Sequence, residues 1–310
     1  MKVVLFCGGM GMRLREYSES IPKPMVNIGY RPILWHIMKY YAHYGHTEFI
    51  LCLGWKADYI KKYFLEYEEC ISNDFVLSGG GSQVDLISSD IQDWKITFCD
   101  TGVASNIGER LVAVEQHLGD DETFLANYTD GLCDLHLPEM IDFHHQHNAV
   151  ASFLAVKPSQ SFHTVNMGHD GAVQSIRAVT ETDIRINAGY FVLQREIFDY
   201  IRRGEELVNE PFSRLIDENR LYARPFNGFF GCMDTFKEKQ TLDDMHRRGE
   251  TPWQVWDSVS QEDARVDEEF AVVEQMRELM DAIRDVGAEV PDCGHSDEDS
   301  GVLSADSLSS

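Results

Sequence analysis

The sequence has few basic residues and no long apolar run. Its 310 residues include 27 Lys and Arg against 52 Asp and Glu, so the formal net charge is −25. Such an acidic chain lacks the basic surface that non-specific nucleic-acid binding needs. No apolar stretch approaches the ~20 residues of a membrane-spanning helix. We therefore expect neither nucleic acid nor a membrane among its partners.

Cysteines are few and scattered. The seven cysteines are an odd number without close pairs, which fits neither a disulfide framework nor a zinc site. The first segment, residues 1–7, meets glycines at once and shows no signal-peptide pattern. We interpret it as a first strand and expect a cytoplasmic protein.

The acidic charge is concentrated at the end of the chain. Residues 257–310 include 16 acidic and 3 basic side chains. Apolar residues at helical spacing predict an amphipathic helix over 262–286, and the polar, serine-rich segment from Pro291 onwards is expected to be disordered. We therefore divide the chain into a folded domain, residues 1–256, and an acidic tail. A solubilising extension is favoured for this tail over a partner-binding helix or an autoinhibitory segment.

Strand and helix patterns alternate in the rest of the chain. Apolar, β-branched runs indicate buried strands, and helical spacing of large residues indicates helices. The predicted strands are 2–7, 48–53, 95–99, 122–128, 149–156 and 190–193. The predicted helices are 33–44, 58–67, 138–147 and 195–202. The alternation predicts an α/β fold with a mainly parallel sheet covered by helices on both faces.

Glycines follow the first strand, at the edge where open parallel sheets bind ligands. Residues 8–13 read Gly-Gly-Met-Gly-Met-Arg. The glycines would let the backbone approach a base or phosphate closely, and Arg13 can fork onto phosphate oxygens. The segment has neither the third glycine of the dinucleotide fingerprint nor the ending of a Walker loop. A tight strand-to-helix turn without a ligand is the alternative interpretation.

Three further residues could complete a phosphate site. Lys23 stands between two prolines, which fix the backbone around its positive charge. Asp130 and Asp234 each follow an apolar segment, and Mg²⁺ is often held by one or two carboxylates together with substrate phosphates. The alternatives are a solvated lysine and two aspartates that cap turns or helices.

These motifs together resemble the sugar-1-phosphate nucleotidylyltransferases, and within them the glucose-1-phosphate cytidylyltransferases. The resemblance covers residues 1–256 and includes further stretches at 32–38, 58–64, 100–102, 108–111, 186–193, 233–235 and 252–256. It implies a Rossmann-like nucleotidylyltransferase fold. It also implies an enzyme that transfers a cytidylyl group from CTP to a sugar 1-phosphate, releases pyrophosphate and forms a CDP-sugar.

The resemblance also implies roles for individual residues. The implied catalytic residues are Arg13 and Lys23. The implied nucleotide-binding residues are Gly8, Gly9, Gly11, Met12, Arg13, Lys23, Thr101 and Arg110, with Arg110 near the base. Substrate would be bound by Asn187 and Arg185, and Mg²⁺, the expected cofactor, by Asp130 and Asp234. The expected partners are CTP, a phosphorylated small-molecule acceptor and further copies of the chain in a homo-oligomer.

The acceptor side departs from the family pattern. The family usually carries a Glu-Lys-Pro segment whose lysine binds the sugar phosphate, but residues 175–181 read Ser-Ile-Arg-Ala-Val-Thr-Glu. A common Arg-Phe-Gly segment is replaced at 161–166, and Met12 stands where the family usually has threonine. Arg177 or Arg185 could supply the missing charge, or each could be a surface arginine. Another nucleoside triphosphate, a non-sugar acceptor and an inactive nucleotide-binding regulatory protein therefore stay open.

Overall fold

The computed structural model describes residues 1–9, 21–159 and 162–257. The helix expected over 262–286 lies outside these ranges, as do Gly11, Met12 and Arg13.

The strands are β1 (Val3–Phe6), β2 (Asn27–Ile28), β3 (Arg31–Pro32), β4 (Glu48–Leu53), β5 (Phe75–Ser78), β6 (Gln83–Leu86), β7 (Lys95–Asp100), β8 (Thr123–Asn127), β9 (Gly131–Cys133), β10 (Ala151–Val156), β11 (His163–Met167), β12 (Val173–Ala178), β13 (Ile186–Gln194), β14 (Leu221–Phe226) and β15 (Phe230–Cys232). The helices are α1 (Ile33–His43), α2 (Ala57–Leu65), α3 (Ile107–Val114), α4 (Leu137–Gln146), α5 (Ile197–Tyr200), α6 (Glu210–Asp217) and α7 (Phe236–Arg247). Within the ranges described, no helix combines the length and apolar character needed to cross a membrane.

A seven-stranded sheet forms the centre of the structure, in the order β14-β10-β13-β8-β1-β4-β7. Strand β1 pairs in parallel with β4 and β8, β4 pairs in parallel with β7, and β10 with β14. Strand β13 runs antiparallel to both β8 and β10. The sheet is therefore mainly parallel, which confirms the predicted α/β class.

Strand β1 shows why the sheet is covered on both faces. All four of its residues are buried. Val3 and Leu5 belong to the apolar core on one face, whereas Val4 and Phe6 belong to the core on the other. Alternate residues of a strand point to opposite faces, so a continuous apolar run requires both faces to be packed. Helix α1 contributes to the first core, and α3 and α6 contribute to the second.

The sequence prediction missed strand β14 and helices α3, α6 and α7, and it also differs from the structure at two exposed hairpins and one further helix. Strands β5 and β6 pair antiparallel outside the central sheet, as do β11 and β12. Their residues are mostly exposed on both faces, so they lack the apolar alternation that would have indicated strands. The helix predicted over 195–202 is wrong in length, because Ile201 is already extended and α5 has only four residues.

A buried ion pair joins β3 to the loop between β6 and β7. The side chains of Arg31 and Asp90 are almost fully buried, with Nη2 of the arginine 3.9 Å from Oδ2 of the aspartate. The same carboxylate oxygen accepts hydrogen bonds from the Tyr67 hydroxyl at 2.7 Å and the Ser72 hydroxyl at 2.5 Å. Arg31 also donates to the carbonyl of Glu68 at 2.9 Å. Removing one partner would leave the other charge buried with incomplete compensation.

We expect Arg31→Ala to lower the free energy of unfolding by about 3 kcal/mol, because it leaves the Asp90 carboxylate buried without its cation. Urea denaturation followed by circular dichroism measures this loss. Lys95→Ala is the matched control, since the Lys95–Glu48 pair is exposed and should contribute less than about 1 kcal/mol. Equal losses in the two variants would contradict the structural role assigned to Arg31.

Candidate active site

Three charged side chains from distant parts of the chain meet in one cluster. The ammonium of Lys23 donates to Oδ2 of Asp130 at 2.9 Å and to Oδ1 of Asp234 at 2.5 Å. The lysine side chain is 15% exposed and the two aspartates are 28% and 30% exposed. The cluster is therefore accessible to a ligand but largely withdrawn from bulk water.

The short ribbon formed by β9 and β15 brings the two aspartates together. Gly131 and Cys232 are directly opposite each other in this antiparallel pair. Asp130 precedes the first of these residues and Asp234 follows the second by two positions. The amide of Met233 donates to the carbonyl of Asp130 at 2.8 Å, which extends the pairing to the aspartate itself. The register of the ribbon thus fixes the separation of the carboxylates.

A strained residue directs Asp130 into the cluster. Thr129 has φ of +63°, a left-handed conformation that is rare for a β-branched residue. Its amide donates to the Asn127 side chain at 2.7 Å, and its hydroxyl donates to the carbonyl of Phe6 at 2.8 Å. Because buried hydrogen bonds maintain this conformation, the turn between β8 and β9 is fixed before any ligand binds.

Local structure also fixes the other two members of the cluster. Asp234 immediately precedes Thr235, which caps α7 in a reciprocal capping box with Glu238. The Glu238 carboxylate accepts from the amide of Asp234 at 3.0 Å as well. Lys23 begins a single 3₁₀ turn that ends at Met25, whose amide donates to the carbonyl of Pro22 at 2.8 Å. All three charged residues therefore lie on constrained backbone.

The electrostatics of the cluster favour a charged lysine. Burial opposes the charged form of Lys23, but the charges and hydrogen bonds of Asp130 and Asp234 outweigh burial and raise the pKa of Lys23. Burial raises the pKa of Asp130, and the charge of Asp234 adds to this, while Lys23 opposes both effects. The ammonium consequently offsets the repulsion between two neighbouring carboxylates.

The same carboxylates could hold a metal ion. One donor atom each from Asp130, Asp234 and Cys232 lies within 4.8 Å of the others. Carboxylate oxygens suit a hard divalent cation such as Mg²⁺. Burial and the adjacent carboxylates raise the pKa of Cys232, which keeps its thiol protonated and unsuited to such an ion. The donor atoms of Asp130 and Asp234 therefore fit the Mg²⁺ site that the sequence predicts at these two residues.

The cluster lies on the wall of a cleft of about 630 Å³ at the carboxyl ends of β1 and β8. Its lining residues are Phe6, Cys7, Gly8, Gly9, Lys23, Pro24, Val103, Ala104, Ser105, Asn106, Ile107, Arg110, Tyr128, Thr129, Asp130, Glu206 and Asp234. Lys23, Asp130 and Asp234 mark a charged end, and residues 103–107 form a wall that carries no charged side chain. The cleft can thus bind a ligand that has a charged end at the cluster and an uncharged end against residues 103–107.

Arg110 supports the glycine segment from within the protein. Its Nη2 donates to the carbonyl of Gly8 at 3.1 Å, and its Nη1 donates to the Thr101 hydroxyl at 2.8 Å and to the carbonyl of Leu53 at 3.3 Å. A Cβ atom on Gly8 would lie 1.9 Å from this guanidinium, so any other residue there would displace Arg110 from its hydrogen bonds. Both terminal nitrogens of Arg110 therefore already donate to the protein where the side chain reaches the cleft, and Thr101 lies behind it rather than in the lining.

The residues predicted for the acceptor side do not line this cleft. Arg185 donates from Nη1 to the carbonyls of Ala155 and Phe226, both at 3.0 Å, and from Nη2 to the Asn227 side chain at 3.0 Å. The side-chain oxygen of Asn187 accepts from the amide of Gly189 at 2.8 Å. Both side chains thus serve the local backbone. Arg177 is exposed on β12.

Sequence reasoning missed Cys232, which lies beside the two aspartates, and several residues that line the cleft. Cys232 could have been found, because it is two residues before Asp234 in a strand-like segment and therefore points to the same side. Tyr128 and Thr129 adjoin Asp130, but nothing in the sequence marks a left-handed threonine. Glu206 lies in the loop before α6 and has no motif around it.

Comparisons with known proteins identify the family. The profile of the nucleotidyl transferase family matches residues 2–287. A Bacillus subtilis protein named probable glucose-1-phosphate cytidylyltransferase is 37% identical over 258 residues, which cover 83% of this chain and all of that protein. The glucose-1-phosphate cytidylyltransferase of Salmonella typhimurium is 37% identical over 259 residues with the same coverage. The crystal structure of HddC from Yersinia pseudotuberculosis shares the fold, with a TM-score of 0.54, 20% identity and coverage of 79% of this chain and 99% of that one. This chain therefore belongs to the nucleotidyl transferase family and is a nucleotidyltransferase.

Proposed function

We propose that the protein transfers a cytidylyl group from CTP to a sugar 1-phosphate, glucose 1-phosphate or a related compound, forming a CDP-sugar and pyrophosphate. Two relatives that carry the name glucose-1-phosphate cytidylyltransferase align over their full length and support this substrate pair. The observation that carries the proposal is the cluster of Lys23, Asp130 and Asp234 on the wall of a glycine-lined cleft. We assign the activity to residues 1–256, in a cytoplasmic homo-oligomer.

In the proposed reaction a phosphate oxygen of the acceptor attacks the α-phosphorus of CTP. The bond between the α-phosphorus and the bridging oxygen breaks, and pyrophosphate leaves with that oxygen. Both reactants are anions, so catalysis consists mainly of holding them in line and offsetting charge. No side-chain nucleophile is required. Lys23, held charged in the cleft, binds the phosphates that react, and Arg13 binds the rest of the triphosphate.

Asp130 and Asp234 would hold Mg²⁺ together with phosphate oxygens of the nucleotide. The ion would supply further charge neutralisation on the triphosphate. The ammonium of Lys23 now donates to both carboxylates, so it would have to exchange at least one of these hydrogen bonds for a phosphate oxygen if an ion were held there. Lys23 would in this way neutralise the two carboxylates without an ion and contact the reacting phosphates with one.

The nucleoside would lie against residues 8–12 and 103–107. Gly8 and Gly9 line the cleft and let the backbone approach it, and Gly11 and Met12 are our further candidates for nucleotide contacts. We assign Arg110 and Thr101 to positioning, because their hydrogen bonds hold Gly8 in place. Asn187 remains our candidate for binding the acceptor. Arg185 would have to exchange its contact with Asn227 for a phosphate oxygen to take part.

Pyrophosphate release with Mg²⁺ tests the proposed function directly. We expect CTP to be the best donor among CTP, UTP, dTTP, ATP and GTP when glucose 1-phosphate and other phosphorylated acceptors are supplied. Turnover with CTP would exclude an inactive regulatory protein. If CTP is the worst donor, the base assignment is wrong, and if no combination turns over, the enzymatic proposal fails.

We expect Lys23→Ala to lower kcat by about 10²-fold or more, in line with the loss of one preorganised charge at the reacting phosphates. Steady-state kinetics at saturating CTP and acceptor measures this effect. The control is Lys62→Ala, since Lys62 is 71% exposed on α2 and far in sequence from the cluster. Normal turnover of Lys23→Ala would contradict the role of this lysine.

Mg²⁺ should stabilise Lys23→Ala more than the wild-type protein when no nucleotide is present. In the wild type the ion competes with an ammonium, whereas in the variant two carboxylates lack a counter-charge. At tenfold excess over its Kd the ion should contribute about 1.4 kcal/mol, or a Tm shift of roughly 3–5 °C. Thermal denaturation with and without Mg²⁺ measures this, and adding Asp234→Asn to Lys23→Ala should abolish the shift. Equal shifts in the wild type and Lys23→Ala would contradict a shared site.

A further inference from the structure

One carboxylate in the cleft has no role in the cluster around Lys23. Glu206 lines the same cleft from the loop between α5 and α6. Its Oε2 accepts from the amide of Ile107, the first residue of α3, at 3.3 Å. Its Oε1 accepts from the amide of Leu207 at 3.1 Å. Each oxygen accepts a single long hydrogen bond and keeps a lone pair for a further donor.

The loop that carries Glu206 is fixed to its neighbours. The Asn106 side chain donates to the carbonyl of Gly204 at 3.0 Å. Glu205 is paired with Arg214 and packs so closely against Gly108 that a Cβ there would lie 2.5 Å from its carbonyl. The Glu206 carboxylate is thus positioned before a ligand binds, as expected of a recognition group.

The charges of the cleft determine the direction in which a nucleotide can lie. The amino end of α3 is not open to a phosphate, because Glu206 accepts from Ile107 and the Asn106 side chain accepts from Glu109. The Glu206 carboxylate would also repel a phosphate. The triphosphate therefore belongs at Lys23, and the base belongs against residues 103–107.

Glu206 lies between these two ends. It contacts Ile107 on the side of the base. On the other side is Tyr128, which is two residues before Asp130. Tyr128 and Glu206 both line the cleft. The part of a nucleotide between the base and the α-phosphate is the ribose.

We propose that Glu206 accepts hydrogen bonds from the ribose hydroxyls of the nucleotide and makes the enzyme select a ribonucleotide over a 2′-deoxyribonucleotide. The inference rests on the proposed function, since it assumes a nucleoside triphosphate in this cleft. A carboxylate offers two acceptor oxygens to two adjacent hydroxyl donors. A 2′-deoxyribose leaves one of these bonds unmade, and a hydrogen bond to a charged group corresponds to roughly 10- to 100-fold in affinity.

The test compares CTP, 2′-deoxy-CTP and UTP as donors for the wild type and Glu206→Gln. We expect kcat/KM for CTP to fall about tenfold or more in the variant, with kcat/KM for 2′-deoxy-CTP nearly unchanged. The preference for CTP over 2′-deoxy-CTP is then largely lost, and the preference for CTP over UTP is retained. Titration calorimetry should show the same pattern, with the Kd for CTP about tenfold higher or more in the variant and the Kd for 2′-deoxy-CTP nearly unchanged. Glu210→Gln removes a carboxylate from the exposed start of α6 and should leave both preferences unchanged.

Three outcomes would overturn the proposal. A change in the preference for CTP over UTP alone would mean that Glu206 contacts the base. An equal fall in kcat/KM for every donor, together with a lowered Tm, would mean that Glu206 only caps α3. An unchanged CTP to 2′-deoxy-CTP ratio would mean that the ribose is bound elsewhere. In each case the wild type still prefers CTP, whereas a wild type for which CTP is the worst donor contradicts the base assignment of the proposed function as well.

Discussion

The ligand-binding edge of this protein depends on one electrostatic constraint, which is that Asp130 and Asp234 lie so close together that a cation must neutralise them. Lys23 meets this need with hydrogen bonds to both carboxylates. The β9–β15 ribbon sets their separation, and the capping box of α7 holds one of them in place. Three segments far apart in sequence are therefore joined through a single charge. In the proposed reaction, that charge would act on a phosphate once another cation replaces it.

The parts of the fold that could be predicted are those with a buried apolar pattern. Strands β1 and β4 and helix α1 bury continuous or helically spaced apolar residues, and they lie close to the predicted limits. Strands β11 and β12 are exposed and carry no such pattern. The antiparallel direction of β13 was not predictable, because an apolar run shows that a strand is buried but not which way it runs.

For the candidate site, the sequence made the charged residues predictable but not the direction in which each side chain points. Asp130 was predictable because it follows an apolar strand at the carboxyl edge of the parallel sheet, and Lys23 and Asp234 were predictable because their motifs resemble those of the family. The orientation of an arginine was not predictable. Arg110 and Arg185 have the residue type for binding phosphate, yet both donate to backbone carbonyls. Their hydrogen bonds hold Gly8 and the end of β10 in place.

The central claim is that Lys23 and a divalent ion use the same pair of carboxylates in turn. The most direct measurement is a crystal structure with Mn²⁺ and a non-hydrolysable CTP analogue, with the ion located by its anomalous scattering. The account predicts one Mn²⁺ ligated by both Asp130 and Asp234, with the Lys23 ammonium moved onto the phosphates. A manganese ion located elsewhere, with Lys23 still hydrogen-bonded to both aspartates, would contradict it.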